Sequence, residues 1–181
     1  MNHQGEQDKG NSSRVILVTG GQRSGKSEFA EKMALSLSST PVYLATAMIT
    51  DDEMQKRVEI HKKRREKNWK NLEEPLLISG VELAESEVVL IDCLTLFASN
   101  WFFREKENLE KALTRIKEEL EGVLQKGSKV IMVTNEIGLG GISGNELQRR
   151  FTDLQGLVNR FAAEKAEEVY LMISGIPVKI K

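Results

Sequence analysis

The sequence has few of the residues that mark several classes of protein. Cys93 is the single cysteine in 181 residues, so an internal disulfide is excluded and a reducing cytoplasm is expected. The formal net charge of −1 argues against a protein that binds nucleic acid through bulk charge. No run approaches the ~18 apolar residues of a membrane span. Residues 1–13 are polar, with no apolar signal segment, and are interpreted as a disordered tail before one domain, 14–181.

What the sequence does contain is a glycine-rich loop, Gly20-Gly21-Gln22-Arg23-Ser24-Gly25-Lys26-Ser27, that fits the phosphate-binding pattern at every fixed position. An apolar run, 15–18, precedes it and predicts a buried strand, while apolar residues spaced by four over 29–37 predict a helix after it. Backbone N–H groups and the helix dipole at such a junction face an anion. Lys26 is predicted to reach the β- and γ-phosphates and Ser27 to hold Mg²⁺. The sequence therefore predicts nucleoside triphosphate binding, the alternative being a chance match in a tight turn.

The remaining apolar runs alternate between strand and helix patterns. Strands are predicted at 42–46, 88–92, 129–134 and 169–174, with a further short one at 178–180. Helices are predicted from Thr50 through a basic run towards Trp69, over 94–103, over 109–123 with Gly127 as C-cap, and over 147–161, whereas Glu73 to Pro75 is predicted to be a loop. This alternation predicts an α/β fold, a mostly parallel sheet with helices on both faces. Ligands bind outside the carboxyl ends of such strands, so one crevice is expected among Thr19, Thr46, Asp92, Asn135 and Ser174.

Two acidic residues follow predicted strands. Asp92 ends the strand 88–92 in the form of a Walker B motif, so it is a candidate to bind or orient Mg²⁺, or else an acid that caps a turn. Glu136 follows the strand 129–134 and is a candidate general base or a structural partner of the glycine-rich segment 138–144. The residues alone leave both pairs of alternatives open.

His61 lies on the apolar face of the helix that starts at Thr50, where a lone histidine is most often a core or surface residue. The basic run that follows, Lys62-Lys63-Arg64-Arg65, is usually a solvated helix face, but it can also bind phosphates. Positive neighbours favour the neutral imidazole, which is a competent nucleophile towards phosphorus. The sequence thus permits a catalytic role for His61 without selecting it.

Taken in order, these segments resemble the bifunctional adenosylcobinamide kinase/adenosylcobinamide-phosphate guanylyltransferase family of cobalamin biosynthesis. The resemblance runs from about Val15 to the C-terminus. The matching segments are 17–27, 43–47, 51–54 with Arg57, His61 and Lys62, then Trp69, 90–95 with Asn100, 133–138, 150–153 with Gly156 and Asn159, and 174–177.

The resemblance implies two reactions in a RecA-like P-loop fold that assembles as a homotrimer. ATP or GTP phosphorylates adenosylcobinamide, and GMP is then transferred from GTP to that phosphate through a GMP–histidine intermediate, giving adenosylcobinamide-GDP. The histidine corresponds to His61, which is implied to be catalytic together with Lys26 and Asp92. The implied nucleotide contacts are the residues of the glycine-rich loop, Gly20 to Ser27, with Ala45, Thr46, Ala47, Lys62, Lys63, Arg64, Arg65, Glu73 and Asp92, and the implied Mg²⁺ ligands are Ser27 and Asp92.

Two other functions remain open at this point. A single-activity P-loop kinase for another small molecule would need the glycine-rich loop and Asp92 but not His61. A GTP-binding regulatory module is the second alternative, although such modules usually read guanine with an N-K-x-D segment, where this chain has Asn135-Glu136-Ile137-Gly138.

Overall fold

One sheet organises the protein in a computed structural model that describes residues 14–48, 55, 68–85, 87–126 and 129–181. Within these residues its seven strands are β1 (Val15–Gly20), β2 (Val42–Ala45), β3 (Lys70–Glu73), β4 (Val88–Asp92), β5 (Lys129–Val133), β6 (Glu168–Ile173) and β7 (Ile176–Lys179). They lie in the order β3-β2-β4-β5-β1-β6-β7, and every pair except β6–β7 is parallel. The α/β fold predicted from the sequence is confirmed. Its central feature is β5, which lies between the strand that enters the phosphate loop and the strand that ends in Asp92.

The described helices are α1 (Lys26–Leu37), α2 (Leu94–Arg104), α3 (Leu109–Leu124) and α4 (Glu146–Lys165), with short 3-10 turns at Ile78–Gly80 and Gly138–Gly140. Asn108 and Asn145 cap α3 and α4, because each side-chain oxygen accepts a hydrogen bond from a backbone N–H in the first turn. Across the described part of the chain, every helix is too short or too polar to span a membrane.

Two apolar layers hold the helices on the sheet. Side chains alternate along β1, so that Val15 and Leu17 face one layer and Ile16 and Val18 face the other. The first layer contains buried side chains of α2, α3 and α4, and the second contains those of α1. Burying a large side chain such as Phe97, which is fully enclosed, contributes about 1.5–3 kcal/mol. Burial on both faces explains why the strands read as continuous apolar runs.

The structure corrects the prediction for Glu73 to Pro75. Glu73 is not in a loop but is the last residue of β3, which pairs in parallel with β2. This strand is at the edge of the sheet and three of its four residues are exposed, so it lacks the apolar pattern that predicts strands. Phe103, the last apolar residue of α2, is 57% exposed.

Other boundaries shifted by only a few residues. The helices predicted over 94–103, 109–123 and 147–161 are confirmed, and the short strand predicted at 178–180 is β7. The predicted tail 1–13, the C-cap at Gly127 and nearly all of the helix predicted from Thr50, including His61 and the basic run, lie outside the described residues.

A tight turn brings the last hairpin against the phosphate loop. Ser174 and Gly175 connect β6 to β7 with left-handed φ angles of 50° and 85°, as the two central residues of a type I′ hairpin turn require. The Gly175 N–H donates to the Ser24 carbonyl oxygen at 3.1 Å. The strand end at Ser174 therefore lies beside the loop, as expected from the parallel sheet.

Candidate nucleotide site

The phosphate loop, Gly20 to Ser27, connects β1 to α1 through three residues with left-handed backbone. The φ angles are 148° at Gly20, 58° at Arg23 and 91° at Gly25. A Cβ on Gly20 would stand 2.6 Å from the Met172 carbonyl oxygen, so a side chain at this position would clash with β6. Gly25 is the N-cap of α1. The first N–H groups of a helix have no partner within it, so the loop and the start of α1 form an anion-binding end.

Lys26 is buried at this loop, with 7% of its surface exposed. Its Nζ donates to the Gly21 carbonyl oxygen at 2.6 Å, and Ser24 Oγ lies 3.5 Å away. Burial lowers the pKa of Lys26 from its ordinary value, and the negative charge of the nearby Asp92 carboxylate opposes that effect. A phosphate bound in the loop would stabilise the ammonium form that burial disfavours, which makes Lys26 a poised partner for an anion.

Asp92 ends β4 with its carboxylate fixed. The Tyr43 hydroxyl donates to Asp92 Oδ2 at 2.6 Å. Burial raises the pKa of the adjacent Cys93 thiol to about 12, and the Asp92 carboxylate adds to this rise. The cysteine therefore stays protonated at neutral pH.

The end of β2 is hydrogen-bonded to the backbone at the end of β4. The Thr46 N–H donates to the Asp92 carbonyl oxygen at 3.2 Å and the Thr46 hydroxyl donates to the Cys93 carbonyl oxygen at 2.9 Å. Asn100 on α2 donates to the carbonyl oxygens of Thr46 and Pro75 at 2.8 and 2.9 Å. Ala45 pairs in register with both Asp92 and Glu73. The strand ends at Ala45, Glu73 and Asp92 thus lie in one row.

A cluster of polar side chains, three of them buried, supports the end of β5. We call this cluster, which consists of Thr95, Thr134, Gln155 and Asn159, the strand-end clamp. Asn159 Oδ1 accepts from the Thr134 hydroxyl and from Gln155 Nε2, both at 2.7 Å. Asn159 Nδ2 donates to the Asn135 carbonyl oxygen at 3.0 Å, and the Asn135 N–H donates to Thr95 Oγ1 at 2.9 Å. The clamp therefore joins β5 to α2 and α4.

Glu136 connects the clamp to the phosphate loop. Its N–H donates to the Gly20 carbonyl oxygen at 3.0 Å. Its carboxylate accepts from Asn159 Nδ2 and from the Gly138 N–H, each at 3.3 Å. These are contacts of a structural partner of the glycine-rich segment, one of the two roles that the sequence left open.

The structure brings many of the predicted site residues to the carboxyl edge of the sheet. The contacts described above place the phosphate loop there, including Lys26. They also place Ala45, Thr46, Glu73 and Asp92 there. His61, Lys62, Lys63, Arg64 and Arg65 lie outside the described residues, so their roles stay predictions. The geometry is that of an anion-binding loop with an acidic residue two strands away from it.

Comparison with known sequences decides the family. The sequence model of the CobU family, described as cobinamide kinase / cobinamide phosphate guanyltransferase, matches residues 16–180. The chain belongs to this family. The CobU family assignment covers the sheet from the second residue of β1 onwards and all the site residues described above.

Curated relatives and a solved structure agree with the assignment. The bifunctional adenosylcobalamin biosynthesis protein CobU of Escherichia coli K12 is 38% identical, over 92% of this chain and 99% of the relative. The corresponding protein CobP of Pseudomonas aeruginosa is 36% identical, over 91% of this chain and 96% of its own length. A solved protein from Pyrococcus horikoshii OT3 is similar in fold alone, with a TM-score of 0.53 and 9% identity over 94% of this chain and 87% of that one.

Sequence reasoning assigned no role to several residues that shape this CobU-family site. Tyr43 and Asn100 lie in segments that match the family, but their contacts could not be predicted because their partners are far away along the chain. Gln155 and Asn159 gave a weak signal that could have been used, since two amides spaced by four lie beside the apolar positions Leu154 and Val158 of α4. Polar side chains on the buried face of an amphipathic helix require partners there.

Proposed function

We propose that this chain phosphorylates adenosylcobinamide with ATP or GTP and then transfers GMP from GTP to the new phosphate, giving adenosylcobinamide-GDP. The observation that carries the proposal is the complete phosphate loop, with Lys26 and Asp92 beside it, in a chain that belongs to the CobU family from 16 to 180. The curated relatives have the name bifunctional adenosylcobalamin biosynthesis protein.

In the first reaction, the hydroxyl oxygen of the corrinoid side chain attacks the γ-phosphorus of the triphosphate. The bond from that phosphorus to the bridging oxygen breaks, a nucleoside diphosphate leaves and the hydroxyl proton is lost. The backbone N–H groups of the phosphate loop hold the phosphates, and Lys26 exchanges its contact with the Gly21 carbonyl for phosphate oxygens. Catalysis here is positioning and charge stabilisation.

In the second reaction, a neutral imidazole nitrogen of His61 attacks the α-phosphorus of GTP, and pyrophosphate leaves. The phosphate oxygen of adenosylcobinamide-phosphate then attacks the same phosphorus. The phosphorus–nitrogen bond breaks and the imidazole is restored. Lys62, Lys63, Arg64 and Arg65 are proposed to bind the phosphates during this exchange, and Ala45, Thr46, Ala47 and Glu73 to contact the nucleotide.

The donor atoms at the carboxyl edge suit Mg²⁺. Asp92 offers carboxylate oxygen and Ser27 a hydroxyl, which are hard ligands, and Mg²⁺ is commonly bound by one or two carboxylates together with substrate phosphates and water. In the part of the chain that the structure describes, no three His, Cys, Asp or Glu side chains converge as a complete protein cage. We propose that Ser27 and Asp92 hold Mg²⁺, which when bound neutralises charge on the phosphates.

The setting of the enzyme is also a proposal. A cytoplasmic location fits the single cysteine. A homotrimer is supported by exposed apolar side chains at and beside β7, among them Ile176 at 65% and Ile180 at 59% exposure, since contiguous exposed apolar surface often marks an interface.

Covalent labelling tests the second reaction. We expect protein incubated with α-labelled GTP to retain an acid-labile, base-stable label after denaturation, and to retain none from γ-labelled GTP. His61→Ala should abolish the label, whereas the matched control His3→Ala, at the other histidine, should keep it. Equal labelling of His61→Ala would show that another residue is the nucleophile.

The same assay separates the alternatives. Corrinoid phosphorylation without any covalent label would support a single-activity kinase. Binding of GTP without either reaction would support a regulatory module.

A further inference from the structure

The backbone of Asn135 is held on both sides by side chains from two helices. Its N–H donates to Thr95 Oγ1 at 2.9 Å, and its carbonyl oxygen accepts from Asn159 Nδ2 at 3.0 Å. Thr95 lies in the first turn of α2 and Asn159 lies on α4. Both backbone hydrogen-bonding groups of Asn135 are therefore used, and the position of its Cα is fixed by parts of the chain that are distant in sequence.

Asn159, one of the two side chains that hold Asn135, is itself buried and bonded to other buried side chains. Asn159 is 8% exposed and Gln155 and Thr134 are fully buried. Gln155 Nε2 donates to both Thr134 Oγ1, at 2.9 Å, and Asn159 Oδ1, at 2.7 Å. Hydrogen bonds are electrostatically stronger away from water, so these bonds restrain the Asn159 side chain, while Gln155 Oε1 has no hydrogen-bond partner among the described residues. The bond from Asn159 to the Asn135 carbonyl oxygen is restrained with it.

The carboxamide of Asn135 is not used in this arrangement. Over the residues that the structure describes, neither its oxygen nor its nitrogen has a hydrogen-bond partner, although asparagines that follow strands commonly bond the backbone two residues on. Here Glu136 makes that contact instead, through its carboxylate and the Gly138 N–H. Asn135 is partly buried, and its amide is not among the enclosed unpaired atoms of the described residues, so it is accessible to a ligand.

The place of Asn135 in the sheet indicates which ligand atoms it meets. It follows β5, which pairs with β1 on one side and with β4 on the other. Neighbouring strands are about 5 Å apart. The residue is thus between the strand that enters the phosphate loop and the strand that ends in Asp92, and the next residue, Glu136, donates to Gly20 of the loop.

We propose that the Asn135 carboxamide donates a hydrogen bond to the terminal phosphate of the bound triphosphate, and that Thr95 and Asn159 are positioning residues for it. The inference rests on the proposed nucleotide site. In the kinase reaction, the donor stabilises charge on the phosphoryl group as the bond to the leaving diphosphate breaks. A nucleoside diphosphate lacks the group that Asn135 contacts, so Asn135 also distinguishes triphosphate from diphosphate.

The test compares a triphosphate with a diphosphate. Adenosine nucleotides are used because GTP also donates its GMP. Affinities for adenylyl imidodiphosphate and ADP are measured by calorimetry with Mg²⁺, for the unaltered protein, Asn135→Ala and Asn135→Asp. The matched control is Asn71→Ala, an exposed asparagine on β3.

We expect Asn135→Ala to weaken the imidodiphosphate by roughly 10- to 100-fold, as loss of a hydrogen bond to a charged group does, and to leave ADP affinity nearly unchanged. The phosphorylation rate with ATP should fall by a similar factor. Asn135→Asp keeps the shape but adds a negative charge, so it should discriminate against the triphosphate still more. Asn71→Ala should match the unaltered protein.

An unchanged ratio of the two affinities in both Asn135 variants would overturn the proposal, and so would an equal loss for both nucleotides accompanied by a lower melting temperature. If the unaltered protein binds both nucleotides but transfers no phosphate to the corrinoid, the proposed function fails. The affinity ratio still decides the role of Asn135 in that case.

Discussion

The phosphate loop and the strand-end clamp are neighbours at the carboxyl edge of the sheet, but they are built in opposite ways. The loop is eight consecutive residues whose backbone is bent by left-handed φ at Gly20, Arg23 and Gly25. The clamp consists of four side chains from three separate parts of the chain, joined by hydrogen bonds between side chains. One region offers backbone donors to a ligand, and the other uses buried side chains to fix a backbone.

Because of this difference, substitutions in the loop should mainly weaken nucleotide binding, and substitutions in the clamp should mainly lower stability. A change in the loop removes groups that meet the nucleotide, but most of its residues are exposed or partly exposed, so the fold should tolerate it. A change in the clamp leaves buried polar atoms without partners, which lowers the free energy of unfolding. Its main effect should therefore be on stability and not on catalysis. Four predictions test the comparison.

The largest effect is expected at Cys93, which lies between the two regions. Its pKa rises from 9.0 to about 12, so alkylation by iodoacetamide at pH 8 should be slower by roughly 100-fold or more in the folded protein than in denaturant, because far less of the thiol is ionised. Because the folded pKa is the higher one, this thiol stabilises the fold below pH 9.0, and the contribution is lost as pH rises from 9.0 to about 12. Rapid alkylation of the native protein would contradict the burial of the thiol.

Lys26→Ala should weaken nucleotide binding by the loop without unfolding the protein. We expect GTP affinity to fall by roughly 100-fold or more, because a charged donor to the phosphates is lost. Calorimetric titration measures the affinity, and a thermal melt checks the fold. Lys32→Ala is the matched control, since Lys32 is on the same helix but exposed and paired with Glu28. A folded Lys26→Ala protein that binds GTP normally would exclude the assigned role of the loop.

Asn159→Ala should remove hydrogen bonds from the strand-end clamp and destabilise the protein. Its side chain bonds Thr134, Gln155 and the Asn135 carbonyl, so we expect the free energy of unfolding to fall by about 2–3 kcal/mol. Urea denaturation measures this loss, with Asn71→Ala as the exposed control. Unfolding at the same urea concentration as the unaltered protein would mean that the clamp adds no stability.

The smallest effect is expected for Asp92→Asn, at the end of β4, the strand that pairs with β5. The substitution keeps the shape and removes the charge, so turnover should need roughly tenfold more Mg²⁺ while nucleotide binding changes little. Rates measured against Mg²⁺ concentration decide it, with the exposed Asp153→Asn as control. An unaltered Mg²⁺ dependence would return Asp92 to a structural role.

The two regions also differ in how far the sequence predicts them. The loop could be predicted because its fixed residues are consecutive and the strand and helix around it have strong apolar patterns. The clamp could not, because Thr134 and Asn159 are 25 residues apart and Asn135 and Thr95 are 40 apart. The strand β3 was missed for a physical reason, since an exposed edge strand such as Lys70–Glu73 has no buried face to give it a pattern. His61 shows the limit of residue patterns alone, because only the family resemblance selects it.

The products formed from adenosylcobinamide show whether the protein carries out both reactions. Adenosylcobinamide is incubated with the protein, GTP and Mg²⁺, and the corrinoid products are followed by mass spectrometry. The account predicts that the mass of adenosylcobinamide-phosphate appears first and that of adenosylcobinamide-GDP follows, and that neither appears with Lys26→Ala. Hydrolysis of GTP with the corrinoid unchanged would contradict it.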